Sequence, residues 1–259
     1  MRKERGRYDA VARAYDEARL RRSVVRDAVL DRANTGDNTP AFCDIHPVDE
    51  PGAARLHIML KGGGSDNASR VVMLVPGAGK QGIVDELVRC VREKAANACP
   101  PLVVGVGIGG TFDKVAGLAK RALMRPVDEP AADPQVRALE EELLEAVNAT
   151  GVGPGGLGGR TTALAVRVAT APCHIAALPL AINMGCSAMR RVTVELGAEE
   201  SLLLARGEAC DQEVEGCAHE GEAQVDGLEE PGGSPLVARD EAGDQGVEGR
   251  ACGEGARHV

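Results

Sequence analysis

Pro100-Pro101-Leu102-Val103-Val104-Gly105-Val106-Gly107-Ile108-Gly109-Gly110-Thr111 decides the fold class. Two successive prolines hold the chain extended, and the run from Leu102 to Ile108 is apolar without alternation, as expected of a strand buried on both faces. Beyond Gly109-Gly110 the pattern predicts a helix from about Thr111 to Leu123. Upstream, Gly82 to Asn97 sets Ile83, Leu87, Cys90 or Val91 and Lys94 at helical spacing. Downstream, Asp133-Pro134 starts a helix by the N-cap and first-turn proline rule and carries it to Val147. Thr162 to Thr170 then reads as a further strand. This alternation predicts an α/β protein: a single mixed α/β domain with glycine-rich loops at strand ends.

Working outward, Tyr8 to about Ala33 reads as a helix, stopped by the polar turn cluster Asn34-Thr35-Gly36-Asp37-Asn38-Thr39-Pro40. Arg55 to Lys61 alternates as a strand does and is closed by Gly62-Gly63-Gly64-Ser65. Val71 to Val75 fits either a strand or a helical turn.

The net charge of −9 is unevenly spread. Residues 1–196 are close to neutral, whereas residues 197–259 carry the whole acidic excess, many glycines and one short apolar run, Leu202-Leu203-Leu204. Such a stretch cannot bury enough surface to offset its conformational entropy. The expected organisation is therefore a folded body over 1–196 and a disordered acidic tail over 197–259. A near-neutral body with 2% aromatic residues offers neither the electrostatic footprint nor the stacking platforms of a nucleic-acid binder. The charged start, Met1-Arg2-Lys3-Glu4-Arg5, lacks a signal core, and no stretch approaches a membrane span, so a cytoplasmic protein is expected.

Five of the eight cysteines fall in the body: Cys43, Cys90, Cys99, Cys173 and Cys186. In a reducing compartment these are metal ligands, reactive thiols or buried apolar groups rather than disulfides. Glycine concentrates at Gly62–Gly64, at Gly105–Gly110 and at Gly151–Gly159, where backbone N–H groups could approach an anion or simply turn a corner. Gly105, Gly107 and Gly110 also fit the spacing of a dinucleotide fingerprint. That reading needs a second strand ending in an acid about 20 residues on, and Arg125-Pro126-Val127-Asp128-Glu129-Pro130 is not one. A nucleotide-binding module at Gly105–Gly110 stays as the weaker alternative.

Asn34-Thr35-Gly36-Asp37-Asn38-Thr39-Pro40-Ala41, Lys61-Gly62-Gly63-Gly64-Ser65, Ala98-Cys99-Pro100-Pro101, Gly105-Val106-Gly107-Ile108-Gly109-Gly110-Thr111, Gly155-Gly156-Leu157-Gly158-Gly159 and Ala171-Pro172-Cys173-His174 occur in this order. Together they resemble the α region of the class I iron-sulfur fumarase and tartrate dehydratase family, from about Tyr8 to Leu196. The resemblance implies a hydro-lyase that adds or removes water at a four-carbon dicarboxylate, fumarate to L-malate or tartrate to oxaloacetate. It implies a [4Fe-4S] cluster held by three cysteines, its fourth iron open as a Lewis acid. Cys99 and Cys186 match two of those ligands. Arg21 matches an arginine that grips a substrate carboxylate, Gly64 a glycine whose backbone meets substrate, and His174 an active-site histidine. A solvated arginine and a structural histidine are the plain alternatives for Arg21 and His174.

Further expectations come from the family pattern. Its Cys-Gln-Asp-Thr-Gly segment precedes the Asn-Thr-Gly-Asp-Asn motif and carries the remaining cysteine and a catalytic aspartate; the sequence given starts after it. Its other carboxylate-binding residues belong to a β-type subunit or C-terminal domain, the implied partner in a hetero-oligomer. An inactive truncated fragment of the same fold is the alternative that these features raise.

Overall fold

A computed structural model describes residues 2–49 and 54–197. The elements run α1 (Arg2–Glu17), β1 (Ala54–Leu60), α2 (Gly63–Asn67), β2 (Arg70–Leu74), α3 (Gly79–Lys94), β3 (Leu102–Gly110), α4 (Phe112–Ala122), α5 (Pro134–Ala149), β4 (Ala163–Cys173), β5 (Leu178–Gly185) and β6 (Arg190–Leu196). The body is the mixed α/β domain expected. The acidic stretch from residue 198 onward lies outside the described residues, so the expectation of a disordered tail is not addressed by them.

The frame is a four-stranded sheet in the order β2-β5-β3-β4. β3 pairs parallel with β4, Val104 opposite Val166, and antiparallel with β5, Val103 opposite Gly185. β2 pairs antiparallel with β5 at the edge, which settles Val71–Val75 as essentially strand. β1 and β6 form a separate antiparallel ribbon, Ile58 opposite Val192.

Alternation along the strands sorts side chains between two faces. Val104, Val106, Val166, Val168, Leu180, Ile182 and Met184 point to one face, where Ile83, Leu87 and Val91 of α3 and Leu143 and Val147 of α5 complete the main core. Leu87 and Leu143 are fully buried, each contributing about 1.5–3 kcal/mol of transfer free energy. The other face belongs to α4, through Val115 and Ala119 against Ala181 and Leu123 against Val103 and Ala165. Gly105 and Gly107 face α4 as well: a Cβ at Gly105 would stand 2.2 Å from the Ala119 carbonyl oxygen, and one at Gly107 2.5 Å from that of Val115. The absence of side chains at these two positions is what lets the helix backbone settle on the strand.

Edge strand β4 is closed by α5 rather than by another strand. Glu140, 3% exposed, accepts the Val168 N–H at 2.7 Å and pairs with Arg125 and Arg167. Asn148 accepts the N–H groups of Thr162 and Ala163 at 2.8 and 2.9 Å.

The helix expected from Tyr8 to Ala33 stops at Glu17. Arg19 takes a left-handed backbone (φ 50°), and the Leu20 N–H returns to the Tyr15 carbonyl at 3.0 Å, a helix-ending pattern. Beyond it, side-chain carbonyls take the N–H groups a helix would have used. Asn38 accepts from Ser23 and Val24 at 2.6 and 3.0 Å, and Asp27 from Val29 and Leu30 at 2.7 and 2.5 Å. Val25 bridges to Asn34 across the resulting loop. Two strands, β5 and β6, were not anticipated from the sequence, and Gly63-Gly64-Ser65 is a helical turn, not merely a strand terminator. No described helix is long and apolar enough to cross a membrane.

Candidate functional site: the cysteine end of the sheet

Strand direction brings Cys99 and Cys186 together. Cys99 precedes β3 and Cys186 follows β5; because these strands are antiparallel neighbours, both cysteines arrive at the same end of the sheet. A backbone hydrogen bond seals the arrangement, from the Ser187 N–H to the Cys99 carbonyl at 3.2 Å. Cys99 is exposed and holds a left-handed backbone (φ 55°, ψ 66°), a conformation that costs a non-glycine residue free energy and is found at functional positions. Cys186 is half-buried beside Met59, Val103, Leu123 and Met189.

The glycine loop after β1 adjoins this end. A Cβ on Gly62 or Gly63 would meet nothing within 4 Å, and one on Gly64 only the Asn97 carbonyl at 3.7 Å. None of the three has a positive φ. Neither the fold's packing nor its backbone therefore demands glycine here.

A polar network that the sequence reading missed lies alongside. Lys61 donates to Ser65 Oγ at 3.2 Å and to Asp66 Oδ1 at 2.9 Å. Asn183 Nδ2 donates to the same Asp66 oxygen at 3.2 Å and to Ser69 Oγ at 3.0 Å. Burial pulls the Lys61 ammonium below its ordinary range against the opposing pull of Asp66. For Asp66, burial alone would raise the carboxyl, but hydrogen bonds and charge from Lys61, with Asn183 and Lys120, bring it below the usual value. Only pairing along the sheet could have brought Asn183 into this network, since it lies more than 110 residues from Asp66 and Ser69 in the chain.

Arg21 sits in the exposed loop after α1, next to Arg22, whose guanidinium holds Asp16 and the Gly36 carbonyl. His174 follows β4, which runs parallel to β3, so it stands at the opposite end of the sheet from Cys99 and Cys186. Its Nδ1 accepts the Ala176 N–H at 3.1 Å in an exposed turn. At that far end α3, α5 and the sheet leave an open pocket of about 430 Å³, lined by Lys80, Ile83, Ile108, Leu139, Thr170 and Leu178. Gly105 and Gly107 are inside β3 against α4, not in a turn facing solvent, so the dinucleotide fingerprint lacks its geometry here.

As a donor set for iron, the described residues offer two thiols at one place, and no group of three or more His, Cys, Asp or Glu side chains. Two cysteines at one end of the sheet suit part of an iron-sulfur cluster and fall short of a complete ligand set. Cys90, by contrast, is fully buried with its thiol on the Ala68 carbonyl, and burial pushes its pKa up. Cys43 and Cys173 are exposed.

The family described as Fumarate hydratase (Fumerase) matches residues 4–195. A Methanocaldococcus jannaschii protein, provisionally named an L(+)-tartrate dehydratase subunit alpha, is 39% identical over 198 residues, 75% of this chain and 69% of its own length. The L(+)-tartrate dehydratase subunit alpha of Escherichia coli K12 is 33% identical over 195 residues, 73% of this chain. The chain spans 63% of that relative's length, and the Shigella sonnei protein of the same name matches to the same extent.

Proposed function

The chain belongs to the fumarate hydratase (Fumerase) family, and from that premise we propose that it is the α-type component of a hydro-lyase acting on a four-carbon dicarboxylate. The reaction is reversible hydration, fumarate to L-malate or tartrate to oxaloacetate. The observation that supports it most is the convergence of Cys99 and Cys186, tied by the Ser187 to Cys99 backbone hydrogen bond. These two thiolates would hold part of a [4Fe-4S] cluster. When bound, such a cluster supplies an open iron, a Lewis acid for a hydroxyl that must leave as water.

The chain's own residues bind and orient. Gly62 to Gly64 present backbone that a carboxylate can approach without meeting a side chain. Arg21 offers a guanidinium fork, suited to bidentate capture of the other carboxylate. His174 is left out of the cysteine end, because β4 carries it the length of the sheet away. In the family pattern further carboxylate-binding residues belong to a β-type subunit or C-terminal domain, so such a partner is proposed to close the site. The relatives' naming as alpha subunits supports that arrangement.

The test is anaerobic reconstitution of the full chain, co-expressed with its partner, by iron and sulfide. Bound iron and sulfide should be lost in Cys99→Ser and in Cys186→Ser and retained in Cys43→Ser and Cys90→Ser. A stable cluster in the Cys99→Ser/Cys186→Ser double variant would overturn the reading. Steady hydratase turnover by this chain alone would refute the need for a partner.

A further inference from the structure

Three charged groups crowd the cysteine end and do not cancel. The Lys61 side chain, 8% exposed, is clamped by Ser65 and Asp66. Lys120, on the last turn of α4, stands 3.9 Å from the same Asp66 oxygen. Two ammonium groups around one carboxylate leave one unit of positive charge. The trio is bolted to the sheet through Asn183, 8% exposed on the α4 face and three residues before Cys186. Ser69 Oγ completes the bolt by taking the Asn183 amide at 3.0 Å and the Met184 N–H at 3.4 Å. Met59, two residues before Lys61, packs in the same small apolar cluster as Cys186.

We infer that Lys61 is a positioning residue: fixed by Ser65 and Asp66, and acting with Lys120, it holds net positive charge against the Cys99/Cys186 end so that this end receives anionic groups. Lys61 is held more firmly than a mobile surface lysine, whose field solvent and side-chain entropy dilute. Here the ammonium cannot swing away without abandoning two hydrogen bonds in a partly desolvated place. The inference rests on the proposed function only in naming the anions as a dicarboxylate and a thiolate-bound cluster.

The experiment therefore needs no iron. In the full chain with every cysteine but Cys186 and buried Cys90 changed to serine, the rate of Cys186 modification is measured with anionic 5,5′-dithiobis(2-nitrobenzoate) and with cationic cystamine at low ionic strength. The anionic reagent should be favoured, and Lys61→Met should cut the anionic-to-cationic rate ratio about five-fold. That is the order a unit charge within a Debye length imposes in opposite senses on oppositely charged reagents. Lys61→Arg should restore the ratio, and high salt should flatten it. A purely structural lysine would move both rates together and leave the ratio alone, which overturns the inference if the variant still melts cooperatively. If Lys61→Met does not fold, half-exposed Lys120→Gln replaces it, and an unchanged ratio there overturns the inference equally. Loss of iron in Cys99→Ser is scored separately, so either idea can fail without the other.

Discussion

The cysteine end of the four-stranded sheet and the opposite end are built from different materials. At the first, Cys99 and Cys186 are fixed by backbone and flanked by Lys61, Asp66 and Asn183. At the second, Cys173 ends β4 and His174 begins an exposed turn beside an open, largely apolar pocket. What separates them is strand direction. Cys99 enters β3 and Cys186 leaves antiparallel β5, whereas Cys173, opposite Gly110 at the finish of β3, terminates a parallel strand. At about 3.3 Å per residue, that lies roughly 25 Å along the strand from Leu102. Motifs that follow one another in the chain need not meet in space.

The contrast can be broken or sharpened by substitution. Glu140→Ala should have the largest effect, because Glu140 caps β4 in mid-strand and its removal leaves buried Arg167 and half-buried Arg125 without their anion. A loss of about 3–5 kcal/mol is expected, a fall in melting midpoint of roughly 6–20 °C. Amide exchange should quicken at both ends together; loosening of one end alone would show that the middle of the sheet does not couple them. Gly107→Ala comes next, at about 1–3 kcal/mol, because its Cβ meets α4 backbone that must move. It should disturb the α4 face, and Cys186 should gain thiol reactivity while Cys173 stays as it was.

Asp66→Asn should act at the cysteine end only, and with a defined pH dependence. The folded carboxyl lies below its ordinary value of 3.8, so its stabilisation is present above that value and is lost as pH falls through the folded pKa. The variant should melt lower than the parent at neutral pH, and the gap should close on acidification below about pH 4. A gap that widens in acid would reverse the assigned sign. The smallest effect is expected at the far end, where Ala177→Val should fill part of the pocket it lines. About 0.5 kcal/mol of stabilisation, read from the melting midpoint, with iron content unchanged, would keep the two ends separate.

Much of the frame is legible in the sequence, and the exceptions share causes. β3, α3, α4, α5 and the body of β4 follow from apolar runs, helical spacing and the Asp133-Pro134 cap. β5 escapes because it lies between β2 and β3, buried on both faces, and shows no alternation. With β5 unseen, Asn183 cannot be set beside Asp66, and the charged network stays hidden. The early end of α1 escapes because Asn38 and Asp27 act on the backbone from positions that helical spacing does not weigh. The Cys99–Cys186 meeting was foreseeable from their places before one apolar run and after another. The remoteness of His174 needed the parallel sense of β4.

Glu140 and Asn148 have a consequence for what the sheet can join. By answering the N–H groups of Val168, Thr162 and Ala163 with side chains, they remove from β4 donors on which an incoming strand would template itself. The sheet thus acquires a sealed flank, one that shuns accidental self-association and limits growth by strand addition to the β2 side. For anyone wishing to fuse, graft or dock another chain onto this protein by strand addition, β4 is a wall and not a door.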